Sequence, residues 1–134
     1  MKLDHIGIAV EDLEAARALY GEVLGMKVGE IEHLPERKLR ICFVDLGAGG
    51  PAIELLCPTD PDSPVGKFLA GKGPGVHHLA YQVEDIAEKL AELKAAGVKL
   101  VDEQARPGAH DCLVAFLHPR ATLGVLTELT QPMH

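Results

Sequence analysis

The sequence predicts an α+β fold built from two tandem βαβββ modules, and three observations lead there. Residues 3–13 can be laid over residues 76–86, which sets His5 on His78 and Val10-Glu11-Asp12 on Val83-Glu84-Asp85. The same offset of 73 residues sets Ile41-Cys42-Phe43 on Val114-Ala115-Phe116. Each matched segment opens with a run alternating in polarity, as a half-buried strand does, and then changes to apolar residues at helical spacing.

In the first module, the strand around His5 places Leu3, His5, Gly7 and Ala9 on one side and Ile6, Ile8 and Val10 on the other. Asp12 is the predicted N-cap of a helix with Leu13, Ala16, Tyr20, Val23 and Leu24 on its apolar face and Gly25 at its end. Strands are predicted over 27–32, 39–46 and 52–56. Residues 58–64 read as a turn, Ser63 as a cap and Pro64 as the opening of a short helix that Gly71 ends. In the second module Asp85 caps a helix carrying Ile86, Leu90 and Leu93, Glu88 approximates a capping box, and Gly97 is the stop. Strands over 99–103, 112–118 and 124–129 complete it. The chain reads as a single domain over 1–134, with repeat one at about 1–57, a linker with a short helix at about 58–75, and repeat two at about 76–134.

Composition narrows the function. Among 134 residues, 13 are Lys or Arg and 20 are Asp or Glu, for a net charge of −7. A chain this long buries roughly two-thirds of its unfolded surface, so any metal is expected for chemistry rather than for folding. The acidic balance, an aromatic content of 4% and the lack of Trp leave neither a basic stripe nor a row of stacking rings, which excludes nucleic acid as a partner. Apolar runs fall far short of about 18 residues, so no membrane span or export segment is expected. Cys42, Cys57 and Cys112 are odd in number and lack C-x-x-C spacing, as suits buried thiols in a reducing, cytoplasmic compartment. The Gly-rich stretches 47–50 and 71–75 match neither phosphate-loop pattern and read as turns.

The repeat also aligns acids. Ile53-Glu54-Leu55-Leu56 corresponds to Thr127-Glu128-Leu129-Thr130, so each module offers one histidine and one glutamate. Both glutamates lie in otherwise apolar strands, where an uncompensated charge costs several kcal/mol. Two imidazoles and two carboxylates suit a divalent first-row ion with positions open to substrate oxygens, and not a thiolate site or an all-oxygen calcium cage. His5, Glu54, His78 and Glu128 are the predicted metal ligands. His77 points to the opposite face from His78, and the repeat selects His78. His33, His110, His118 and His134 have no partner in the other module and are assigned to surface, loop or substrate contacts.

Several motifs now combine: Asp4-His5-Ile6-Gly7-Ile8-Ala9-Val10, Ile53-Glu54-Leu55-Leu56-Cys57-Pro58, Pro61-Asp62-Ser63-Pro64, Gly75-Val76-His77-His78-Leu79-Ala80, Gly108-Ala109-His110, Phe116-Leu117-His118-Pro119 and Gly124-Val125-Leu126-Thr127-Glu128-Leu129. With these the chain resembles the vicinal oxygen chelate superfamily, which includes glyoxalase I, and within it the methylmalonyl-CoA epimerase family. The resemblance implies a curved mixed sheet around a metal site and interconversion of (2R)- and (2S)-methylmalonyl-CoA. It also implies a homodimer and one divalent ion per site at His5, Glu54, His78 and Glu128, with cobalt used in vitro and manganese, nickel or zinc as alternatives. Some members have Gln where this chain has Glu54, and some have a further catalytic Glu where it has Ile41.

The epimerised carbon lies between a thioester carbonyl and a carboxylate, so proton removal places negative charge on oxygen, where a Lewis acid stabilises it. Inversion needs proton carriers on both faces, and Glu128 and Glu54 are the predicted acid/base pair. An anionic acyl-CoA requires local positive charge or backbone donors. Lys67, Arg106, Gly108 and His110 are the predicted substrate contacts, with Lys72, Arg120 and Pro107 as further candidates. Competing readings are a glyoxalase-type isomerase or lyase on another small substrate, an extradiol dioxygenase, and a metal-free small-molecule binding module.

Overall fold

The computed structural model describes residues 1–133, and His134 lies outside the described residues. The chain forms two compact units, His5–His77 and Met1–Asp4 together with His78–His134.

In the first unit, which holds β1 (Lys2–Ala9) from His5 onward, that strand leads to α1 (Leu13–Ala18), then β2 (Lys27–Val28), β3 (Glu32–Leu34), β4 (Leu39–Asp45), β5 (Ala52–Pro58) and α2 (Pro64–Lys72). The sheet order is β2-β4-β5-β1, with β3 also on β4. β5 runs antiparallel to β4 and parallel to β1. The predicted cap forms, since Asp12 Oδ1 accepts the Ala15 N–H at 3.0 Å. Leu13, Cys42, Val44, Leu55 and Cys57 pack between α1 and one face of the sheet.

The second unit contains most of β6 (Gly75–Gln82), α3 (Ile86–Ala95), β7 (Arg106–Pro107), β8 (Cys112–Leu117) and β9 (Thr127–Pro132), in the order β6-β9-β8-β7. Asp85 Oδ1 caps α3 by accepting the Glu88 N–H at 3.0 Å, and Gln131 Oε1 accepts the Ile86 N–H at 2.9 Å. Val83, Ile86, Leu90, Ala115, Leu117 and Leu129 form the core under α3. Both units therefore bury one sheet face beneath a helix. The period of two along each strand turns the intervening residues, His5 and Glu54 in one unit and His78 and Glu128 in the other, to the opposite face.

Five sequence expectations are corrected. After α1 the chain widens into a π-helical turn over Leu19–Val23, which moves Val23 and Leu24 out of phase; they are exposed rather than part of the apolar face. The helix after Ser63 continues past Gly71 and closes at Gly73, whose φ of 76° suits glycine. The strand over 27–32 divides into β2 and β3. The strand over 99–103 is reduced to one bridge between Leu100 and Leu117, because Asp102 Oδ2 accepts the Phe116 N–H at 2.8 Å in place of a ladder carbonyl. The last strand begins at Thr127 instead of 124, after the left-handed residues Leu123 and Gly124.

Candidate functional site

In the first unit the parallel register sets Gly7 beside Glu54, so His5, two residues earlier, shares a face with that carboxylate. His5 Nε2 lies 3.5 Å from Glu54 Oε1. In the second unit Ala80 lies beside Glu128, and His78 Nε2 is 3.1 Å from Glu128 Oε1. All four residues are buried, at 6% exposure or less.

A phenylalanine completes each pair. Phe43 stands opposite Glu54 across the β4–β5 ladder and meets His5 edge-on, with centroids 6.2 Å apart and an interplanar angle of 88°. Phe116 stands opposite Glu128 across β8–β9 and meets His78 at 5.7 Å and 79°. Each ring meets its imidazole in the edge-to-face arrangement that aromatic pairs favour, on the strand position opposite the carboxylate. Their role was missed from sequence although the signal existed, because the repeat already aligned Phe43 with Phe116.

The donors suit a metal. His5, Glu54 and His78 each offer a ligand atom of the required type from a buried side chain, and the buried Glu128, which is not in that group, lies against His78. Two ligand atoms at about 2.0–2.2 Å from a common ion and at right angles are about 3 Å apart, close to the separation within each His–Glu pair. A mixed nitrogen and carboxylate set matches a divalent first-row ion better than calcium.

His77 turns away as expected and sets its ring on Phe68 at 4.9 Å and 78°. Ile41 is fully buried on the Glu54 face of its sheet, and its hydrocarbon side chain has no group that can exchange a proton. Lys67 and Lys72 are exposed on α2, with the Lys72 ammonium 5.8 Å from the Phe68 ring centre. Arg106 is exposed on β7, its guanidinium carbon 5.8 Å from the Phe116 ring centre. Gly108 and His110 belong to a tight loop in which the Gly108 N–H donates to Cys112 O at 2.8 Å and His110 has a φ of 56°. A Cβ at Gly108 would come within 2.6 Å of Val114 Cγ1, so glycine is needed there for space. Arg120 is exposed and donates its backbone N–H to His118 Nδ1 at 3.1 Å. No helix among the described residues is long and apolar enough to cross a membrane.

Comparison with known proteins agrees with this construction. The family model for the Glyoxalase/Bleomycin resistance protein/Dioxygenase superfamily matches residues 4–116. The mitochondrial methylmalonyl-CoA epimerase of Bos taurus is 44% identical over 97% of this chain and 74% of its own. A methylmalonyl-CoA epimerase from Mycobacterium tuberculosis has a TM-score of 0.93 at 37% identity, covering 99% of this chain and 89% of its own. A methylmalonyl-CoA epimerase in complex with methylmalonyl-CoA and NH4+ has a TM-score of 0.90 at 38% identity, covering 98% of this chain and 94% of its own. By its sequence, its two modules and these relatives, the chain belongs to the Glyoxalase/Bleomycin resistance protein/Dioxygenase superfamily and, within it, to the methylmalonyl-CoA epimerase family.

Proposed function

We propose that this chain is a divalent-metal-dependent epimerase that interconverts (2R)- and (2S)-methylmalonyl-CoA by moving the proton at C2. The observation that carries the reading is the duplicated pair, one buried imidazole against one buried carboxylate in each unit, with a phenylalanine behind each imidazole. The relatives' activity supplies the substrate. The two modules act as one domain, and His5, Glu54, His78 and Glu128 would hold the ion together.

When bound, the ion supplies Lewis acidity to the oxygen that gains charge as the C2 proton leaves. The chain's own residues do the rest. Glu128 takes or returns the proton on one face of the planar intermediate and Glu54 on the other. Ile41 leaves Glu54 as the buried carboxylate of β4 and β5 in the first unit, since Asp45, on the same face at the end of β4, is exposed and accepts the Gly47 N–H at 2.7 Å. The two phenylalanines keep competing water from both acids. Lys67, Arg106, Gly108 and His110 serve the acyl-CoA. A homodimer in the cytoplasm with cobalt, manganese, nickel or zinc is the working state, and the free thiols support the reducing compartment.

The test is a coupled epimerase assay with each of the four metals beside a chelated control. Metal-dependent turnover of methylmalonyl-CoA is expected. Absence of turnover with every metal, with activity instead on a glutathione hemithioacetal, would overturn the reading in favour of a glyoxalase-type enzyme.

A further inference from the structure

The two modules differ in one respect that bears on substrate choice. At equivalent positions, the Gly29 N–H donates to Phe43 O at 2.9 Å and the Asp102 N–H to Phe116 O at 3.2 Å, so the backbone bond is common to both. Only the second module carries a side chain there. Its Oδ2 takes the Phe116 N–H at 2.8 Å, and its Oδ1 lies 3.4 Å from Arg106 Nε. By ladder register the module-one counterpart of Arg106 is Glu32, which pairs with Ile41 as Arg106 pairs with Val114. Arg106 in turn sits by the Phe116 ring, and that ring meets His78 beside Glu128.

We propose that Arg106 determines specificity for an anionic acyl-CoA and that Asp102 is the positioning residue that serves it. This deepens the epimerase reading and rests on it. A guanidinium has five N–H donors. Asp102 engages the Nε side, and the aromatic ring limits the plane of the group, which leaves the terminal N–H groups to donate to an anion. The anchor of Asp102 is a backbone N–H in β8, so the guanidinium is held on a rigid strand despite lying at the surface. Two anions of the substrate have the right chemistry, the C2 carboxylate and the CoA phosphates.

The experiment compares wild type with Arg106→Gln, Arg106→Lys, Asp102→Asn and the Asp102→Asn/Arg106→Gln double variant, each checked for folding by circular dichroism. Binding of methylmalonyl-CoA and of methylmalonyl-pantetheine is read by calorimetry, beside KM and kcat. Arg106→Gln is expected to weaken binding by about tenfold, the worth of a charge-assisted hydrogen bond, and to raise KM more than it lowers kcat. Arg106→Lys should recover part of the loss. Asp102→Asn keeps an oxygen for the Phe116 N–H, so it should fold and yet weaken binding, with no further effect once Arg106 is Gln. A loss retained on the pantetheine thioester assigns the contact to the carboxylate, and a loss confined to the CoA thioester assigns it to the phosphates. Unchanged affinity in Arg106→Gln, or an equal effect of Asp102→Asn with and without Arg106, would overturn the proposal. A wild-type chain that binds methylmalonyl-CoA without epimerising it counts against the epimerase reading alone, because the binding comparison still decides the role of Arg106.

Discussion

Ala80 lies directly beside Glu128 in the parallel β6–β9 ladder, as Gly7 lies beside Glu54 between β1 and β5. A small residue two places after each histidine leaves the carboxylate room to reach back to the imidazole. The predicted consequence concerns metal affinity. Ala80→Val adds bulk where none can be absorbed, since Ala80 is fully buried, and should cost about 1–3 kcal/mol of stability. It should also weaken cobalt binding, read by calorimetric titration, as should His78→Ala. Wild-type cobalt affinity in both variants would remove Ala80 and His78 from the metal site.

The acid/base assignment predicts a one-sided defect. Glutamine keeps the shape of either acid but cannot accept the C2 proton. Glu54→Gln and Glu128→Gln should each slow epimerisation by at least about 100-fold, the usual contribution of a positioned acid or base. Each should let deuterium from solvent enter C2 of only one enantiomer, with opposite choices in the two variants. Mass spectrometry of each enantiomer incubated in heavy water reads this directly. Exchange from both enantiomers at the wild-type rate in either variant would exclude that glutamate.

The parts of this architecture visible in the sequence are those written in local patterns. The capped starts at Asp12 and Asp85 and the stops at Gly25 and Gly97 were readable because a helix end needs specific groups for its unpaired N–H and C=O. His5, Glu54, His78 and Glu128 were readable because duplication repeats each chemical choice, so a coincidence in one half is tested by the other. What escaped was non-local. The loss of the strand at 99–103 depends on one carboxylate, Asp102, competing for the N–H of a residue 14 positions away. The outward turn of Val23 and Leu24 depends on one wider helical turn, to which hydrophobic spacing is blind. Phe43 and Phe116 aligned in the repeat, but only the register across β4–β5 and β8–β9 sets them opposite the glutamates.

Backbone crowding gives a prediction independent of catalysis. Gly66 is buried in the first turn of α2, where a Cβ would stand 2.6 Å from both Asp60 O and Pro61 O. These are backbone atoms of the turn before the helix, and that turn is fixed by Ser63, whose hydroxyl donates to Asp60 O at 2.6 Å. Alanine would ordinarily favour a helix over glycine by roughly 1 kcal/mol. Here the collision should win, so Gly66→Ala should lower the urea midpoint by the equivalent of about 1–3 kcal/mol. A higher midpoint would mean that the turn yields more readily than its hydrogen bonds indicate.

The buried thiols predict how stability depends on alkaline pH. Burial raises the pKa of both Cys42 and Cys57 above the ordinary thiol value, because the thiolate is poorly solvated in the core under α1. The native state therefore favours the neutral thiol more than the unfolded chain does. That contribution is fully present below the unfolded thiol pKa, about 8.5, and is lost as pH rises through it toward the higher native value. Urea midpoints should fall between about pH 8 and pH 10. A Cys42→Ala/Cys57→Ala variant should start lower at neutral pH, because it loses buried volume, yet decline less steeply. The difference in slope isolates the two thiols from every other group that titrates in the same range, and parallel declines would show that thiolate desolvation does not govern the loss.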